Sequence, residues 1–175
     1  MKPADLKDLT LFLLRDADET DMWIDRWLVS YPIVAHAECR ASKPLTDQRQ
    51  QVAQAFAGID SENVMAVAHG AAVASFMAWY GSLSMREQRR IKGVLLVAPV
   101  QSACQSDSVR YVHLMCGKAA LVIGEQDPHC PSDWAAEQAA LWGVRLLVSP
   151  HQGHLNGMLG GWQWGSKLMQ EMLLA

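Results

Sequence analysis

Two positions in this 175-residue chain have the residue types and the setting for acid–base work, and a third has the setting of a nucleophile without the side chain. Asp127 stands in an Asp-Pro turn after the apolar run Ala120-Leu-Val-Ile123, and His154 stands in a Gly-His turn after Leu146-Leu-Val148. Both turns close strand-like segments, so a carboxylate and an imidazole are expected to meet at one sheet edge, the carboxylate holding the imidazole tautomer. Upstream, Val64-Met-Ala-Val-Ala-His-Gly-Ala-Ala-Val73 reads as a buried strand entering a helix through a turn of small residues. Such a turn presents a nucleophile when small residues lie two before and two after it, and Ala68 and Ala72 meet that need. At the apex, where a serine would attack, stands Gly70, which has no side chain to attack with.

The elements that must position these residues are legible as apolar runs at 9–14, 33–37, 64–68, 94–98, 119–123 and 144–148, alternating with helical patterns. This alternation predicts an α/β fold with a mostly parallel sheet and helices on both faces. Ser84-Met-Arg-Glu87 is a capping box, and Gly143 is placed to end a helix that begins near Ser132. Asp21 is expected to cap the helix carrying Trp23 and Trp27, and Ser75 to bond backwards to a carbonyl within its helix. Those two tryptophans with Trp79, Trp134 and Trp142 are expected on helices packed against the sheet, whereas Trp162 and Trp164, in a glycine-rich stretch beside His154, are expected at a pocket wall or partner surface. The segment 101–118 is the least patterned and too short for a large lid, so any pocket should be shallow and open.

Length and composition are those of one globular domain over 1–175, with half the residues hydrophobic. A net charge of −3 provides no electrostatic footprint for nucleic acid, and Arg86-Glu-Gln-Arg-Arg-Ile-Lys92 reads as a solvated helix face rather than a phosphate patch. No run is long enough to span a membrane, and the acidic start with its short apolar run does not fit a signal peptide. Cys39, Cys104, Cys116 and Cys130 lack metal-binding spacing and read as reduced thiols of a cytoplasmic protein. His129, His151 and His154 with the acids of 16–21 have poor ligand spacing, so no metal or other cofactor is expected.

The pair Trp23 and Trp27, Val67-Ala-His-Gly70, Leu95-Leu-Val-Ala-Pro99, Asp127-Pro-His-Cys130, Gly153-His-Leu-Asn156 and the following Trp162 together resemble the small single-domain serine hydrolases of the α/β-hydrolase fold, a group that includes the retinoblastoma-binding serine hydrolase. The resemblance covers most of the chain. It implies an α/β-hydrolase-like sheet without a large lid, an acid at Asp127, a histidine at His154 and a nucleophile position at Gly70. It also implies a first-strand loop rich in Gly, Pro and Ser, whose backbone supplies part of the oxyanion hole. Here that stretch reads Leu14-Arg-Asp-Ala-Asp-Glu-Thr-Asp21. Carboxylates a few ångströms from a developing anion oppose it by about 1–4 kcal/mol.

The expected function is accordingly that of a pseudo-hydrolase, with nucleophile and oxyanion loop both lost, that binds a small-molecule ligand or a protein partner. His69, Ala71, Arg15, Asp16, Asn156 and Trp162 are the candidates for its pocket or rim. One alternative is an active hydrolase or other enzyme that uses His154 and Asp127 with an unconventional nucleophile, for which Ser102 and Cys104 are available and Ser75 and Cys130 less suited. Another is a working esterase in which a single serine has been exchanged for glycine, against which the rewritten loop argues.

Overall fold

A computed structural model describes residues 5–175. Six strands, β1 (Leu9–Asp16), β2 (Val34–Cys39), β3 (Asn63–His69), β4 (Ile91–Val97), β5 (Ala119–Ile123) and β6 (Arg145–Val148), form one parallel sheet in the order β2-β1-β3-β4-β5-β6. The chain winds outward from β1 to β2, then crosses back to β3 and proceeds the other way. Between β1 and β3 the winding reverses, and in open parallel sheets a crevice opens outside the strand ends at such a point. Asp16 ends β1 and Gly70 follows β3, so both lie there.

The central strands are apolar throughout because helices cover both faces. Alternation sends Phe12, Leu14, Ala66, Ala68, Val94 and Leu96 to one face, packed against α2 (Leu45–Ala57), α3 (Ala72–Tyr80) and α6 (Ser132–Trp142) through Val52, Phe56, Phe76, Trp79 and Trp142. Leu11, Leu13, Met65, Val67, Leu95 and Val97 point to the other, under α1 (Trp23–Ser30) and α7 (Gln163–Leu174), with Trp23, Trp27, Trp162 and Met169. All nine residues of α3 are buried, which accounts for a helix that is apolar all round. No helix among the described residues is long and apolar enough to cross a membrane.

Several local expectations hold. Ser84 and Glu87 bond reciprocally at the start of α4 (Met85–Arg90), and Gly143 closes α6 with φ at 72°. The segment 101–118 contains a 3-10 turn, Gln101–Cys104, and the short α5 (Asp107–Arg110), and forms no lid.

Three expectations are corrected. Met22, not Asp21, precedes α1, and its N–H donates to Asp25 Oδ2 (2.9 Å), so the carboxylate that serves the helix start comes from inside the first turn. Ser75 does not bond back along α3; its hydroxyl donates to Gln48 Oε1 (2.7 Å), because two buried polar side chains on packed helices satisfy each other. Arg15 and Asp16 are not loop residues. β1 continues through them, pairing Arg15 with Glu38 and Asp16 with Cys39, which aims the Asp16 side chain from a rigid strand end.

Candidate functional site

The turns after β5 and β6 are tied by two backbone bonds, Ser149 N–H to Ile123 O (2.8 Å) and Gly153 N–H to Glu125 O (2.7 Å). Gly124 permits this approach, since a Cβ there would stand 2.1 Å from the Gly153 carbonyl oxygen. The consequence is that His154 Nδ1 lies 2.7 Å from Asp127 Oδ2, both side chains buried. Burial acts to raise the Asp127 pKa, but hydrogen bonds from His154 and from the His129 N–H (2.8 Å to Oδ1) outweigh it and hold the carboxyl below its ordinary range. An ionised Asp127 keeps the proton of His154 on Nδ1. Nε2 then faces the Gly70 turn.

His154 is also held from below, by contacts that no spacing in the sequence announced. Its carbonyl accepts a hydrogen bond from His69 Nε2 (3.0 Å), and the next carbonyl, of Leu155, accepts one from Trp23 Nε1 (2.8 Å). His69, expected at the pocket or rim, is instead fully buried beneath the histidine loop, and this desolvation pushes its pKa down to about 3. It is therefore neutral, with Nδ1 lacking a partner. Trp162 is likewise corrected. It is buried in the core, its ring 4.4 Å from that of Trp23 and 6.0 Å from that of Trp27, because the turn at Leu159–Gly161 folds it inward rather than toward the strand ends. Trp164 is half-buried against it.

The β1–β3 half of the site is arranged differently. Gly70 has φ at 61°, in the left-handed region that glycine adopts readily. A Cβ at this position would stand 3.5 Å from His154 Nε2 and 2.9 Å from Asp16 Oδ2. Asp16 is buried, and its Oδ2 accepts the Ala71 N–H (3.1 Å) while Oδ1 accepts the Asp18 N–H (3.1 Å). Thus the N–H of the residue after Gly70 already holds a carboxylate of the chain itself. Glu19 adds a second acid, with Oε1 3.9 Å from His154 Nε2 and Oε2 accepting from the exposed Asn156 Nδ2 (3.1 Å).

The remaining charges of the acidic stretch turn elsewhere. Arg15 binds Asp25, lies 3.6 Å from Glu38 and donates to Glu19 O (2.9 Å), and the bond with Asp25 raises its pKa further. Asp18 pairs with Arg40 at 3.1 Å. Only Asp16 and Glu19 of the expected carboxylate crowd lean toward the site. Cys104 and Cys130 are buried thiols that desolvation pushes up to about 12, so neither offers a thiolate near neutral pH. Ser102 is exposed in the 3-10 turn and Ser75 is committed to Gln48. Among the described residues no group of three or more His, Cys, Asp or Glu side chains is placed to hold a metal ion.

Against this geometry stand the comparisons with known proteins. The profile of the family described as Serine hydrolase matches residues 15–171. Among solved structures, a YdeN-like hydrolase from Pectobacterium atrosepticum superposes with a TM-score of 0.81 at 18% identity, covering 98% of this chain and 94% of that one. A CIB-like hydrolase from Thermoplasma acidophilum reaches 0.67 at 12% identity, with 100% and 90% covered. The ydeN gene product of B. subtilis reaches 0.65 at 13% identity, with 93% and 98% covered. At these identities the structural likeness establishes the α/β-hydrolase fold. No curated protein matches the chain.

Proposed function

We propose that this chain, which belongs to the serine hydrolase family, is a pseudo-hydrolase: it has kept the fold and an acid–histidine pair, has lost the nucleophile, and works by binding. The observation that carries this reading is the hydrogen bond from the Ala71 N–H to Asp16 Oδ2. In an acyl-transfer site the N–H after the nucleophile stabilises the charge that develops on the substrate oxygen. Losing one such donor costs about 2.7–4 kcal/mol of transition-state stabilisation. A fixed carboxylate in its place adds repulsion of about 1–4 kcal/mol. With Gly70 beside it, no acyl-enzyme can form at this turn.

The role left is binding, of a small ligand or a protein partner, at the rim where Glu19, His129 and Asn156 reach the surface. Neither nucleic acid nor a membrane is part of this reading, in keeping with the net charge of −3. Four free cysteines, three of them buried, accord with a reducing compartment such as the cytoplasm. The second reading, an enzyme that uses His154 and Asp127 with an unconventional nucleophile, draws on the 2.7 Å bond between them and on the Nε2 that faces Gly70. Activated short-chain esters and a fluorophosphonate probe distinguish the two. The purified protein should show neither turnover nor labelling above background, whereas turnover abolished by His154→Ala would overturn the pseudo-hydrolase reading in favour of the second.

A further inference from the structure

The opposite end of the sheet holds a second concavity, independent of the first site. It lies where β3 and β4 begin, beside α4 and the segment leading into β5, and encloses about 630 Å3. Small-molecule sites have this size. Its lining has two characters. Met85 and Met115 border it with relative exposures of 61% and 66%, among the most exposed large apolar side chains of the described residues, and the buried Ile91 continues the apolar surface. Arg89, Lys92 and Lys118 border it too, and no Asp or Glu does, although the chain has 18 acids against 15 bases.

The cations are anchored without being used up. Lys92 Nζ donates to Arg89 O at 2.6 Å, and Lys118 Nζ donates to Leu173 O at 3.0 Å and Ala175 O at 2.7 Å. An ammonium has three donors, so each lysine keeps at least one free. They border the same cavity as the half-buried Cys116, whose thiol pKa burial raises while the Lys118 backbone N–H and the charges of Lys118 and Lys92 oppose that rise. The segment 86–92, which reads in the sequence as a solvated face, thus contributes Arg89 and Lys92 to a cationic cleft wall.

We propose that this cleft binds a single-chain anionic amphiphile, a fatty carboxylate, with its head at Arg89, Lys92 and Lys118 and its alkyl chain along Met85, Met115 and Ile91. A guanidinium and two ammonium groups match a carboxylate and reject a cation. Unbranched, polarizable methionines adapt to an alkyl chain and remove exposed apolar surface from water as they do so. A bare inorganic anion would leave the methionines unused, and a neutral apolar ligand would leave the charges unpaired.

The test uses dodecanoate below its micellar concentration, with dodecyltrimethylammonium as the probe of equal chain and opposite charge. Methyl-labelled methionine spectra should shift at Met85 and Met115 and not at the core Met65, Met77 and Met169, with saturation. Alkylation of Cys116 by iodoacetamide at alkaline pH should slow in parallel. The double variant Arg89→Gln, Lys92→Gln, at an exposed and a half-buried position, should fold normally and bind dodecanoate about tenfold more weakly, since charged hydrogen bonds are lost. Equal binding of the cationic probe, indifference to the double variant, or no saturable shift up to the solubility limit would each overturn the proposal. None of these results bears on the site at His154, which lies at the other end of the strands.

Discussion

The two halves of the strand-end site differ in what holds them. On the β5–β6 side, His154 and Asp127 are fixed from several directions: by the close approach of Gly124 to Gly153, by His69 and Trp23 beneath, and by the His129 N–H. On the β1–β3 side, one carboxylate, Asp16, spans the turn and bonds to backbone N–H groups on both sides of itself. The first half is woven into the core. Altering it breaks packing, whereas the second half rests on a few polar contacts between the buried Asp16 and neighbouring backbone. A histidine–carboxylate pair embedded in this way is held in place by packing, whatever the neighbouring turn carries.

The sharpest break of the packed half is Gly124→Ala. The new Cβ would meet the Gly153 oxygen at 2.1 Å, and backbone cannot swing aside as a side chain does. A loss of about 4 kcal/mol is expected, a fall in melting temperature on the order of 10 °C, read by calorimetry. Little change would mean that the two turns are not rigidly joined.

The β1–β3 half should respond in chemistry. Gly70→Ser alone should destabilise the fold by about 1–3 kcal/mol, from a non-glycine residue at positive φ and from crowding against Asp16 Oδ2, and should yield little esterase activity. Adding Asp16→Gly frees the Ala71 N–H and should raise ester hydrolysis about 10²–10³-fold above either single change. Full activity from Gly70→Ser by itself would show that Asp16 is no obstacle and that a lost serine is the whole difference.

The smallest effect distinguishes the halves by acid. His69 is held neutral in the fold with a pKa near 3, against about 6.5 unfolded. Below the unfolded value the unfolded chain takes up a proton that the native protein refuses. Stability from His69 is thus whole above pH 6.5 and falls by about 1.4 kcal/mol per pH unit below it, until the folded pKa is reached. Asp127, with its lowered pKa, acts in the same direction at still lower pH. His69→Gln keeps a neutral donor for the His154 carbonyl and should flatten this slope in urea titrations between pH 6.5 and 5, and an unchanged slope would assign the acid sensitivity elsewhere.

Much of this protein is decided locally and so can be read from the chain. The run 119–123 becomes β5 without a residue's change, the Ser84 capping box and the Gly143 terminator form as written, and the five tryptophans expected on helices lie there, because strand pattern, capping and glycine conformation depend on near neighbours. The order of Gly70, Asp127 and His154 along alternating elements is likewise sequential information, and a parallel sheet brings such strand-end turns to one edge. What only the tertiary structure decided is where side chains with more than one suitable partner went. Asp21 and Asp25 compete for one helix start, Ser75 has both a carbonyl and Gln48 within reach, and Trp162 is placed by the fold of a glycine turn whose sequence permits several paths. Asp16 is the decisive case: composition marks it as one acid among several in an exposed-looking stretch, and only the extension of β1 by two residues carries its carboxylate onto the Ala71 N–H. Long-range contacts of this kind depend on the registry of elements far apart in the chain, which local pattern does not encode.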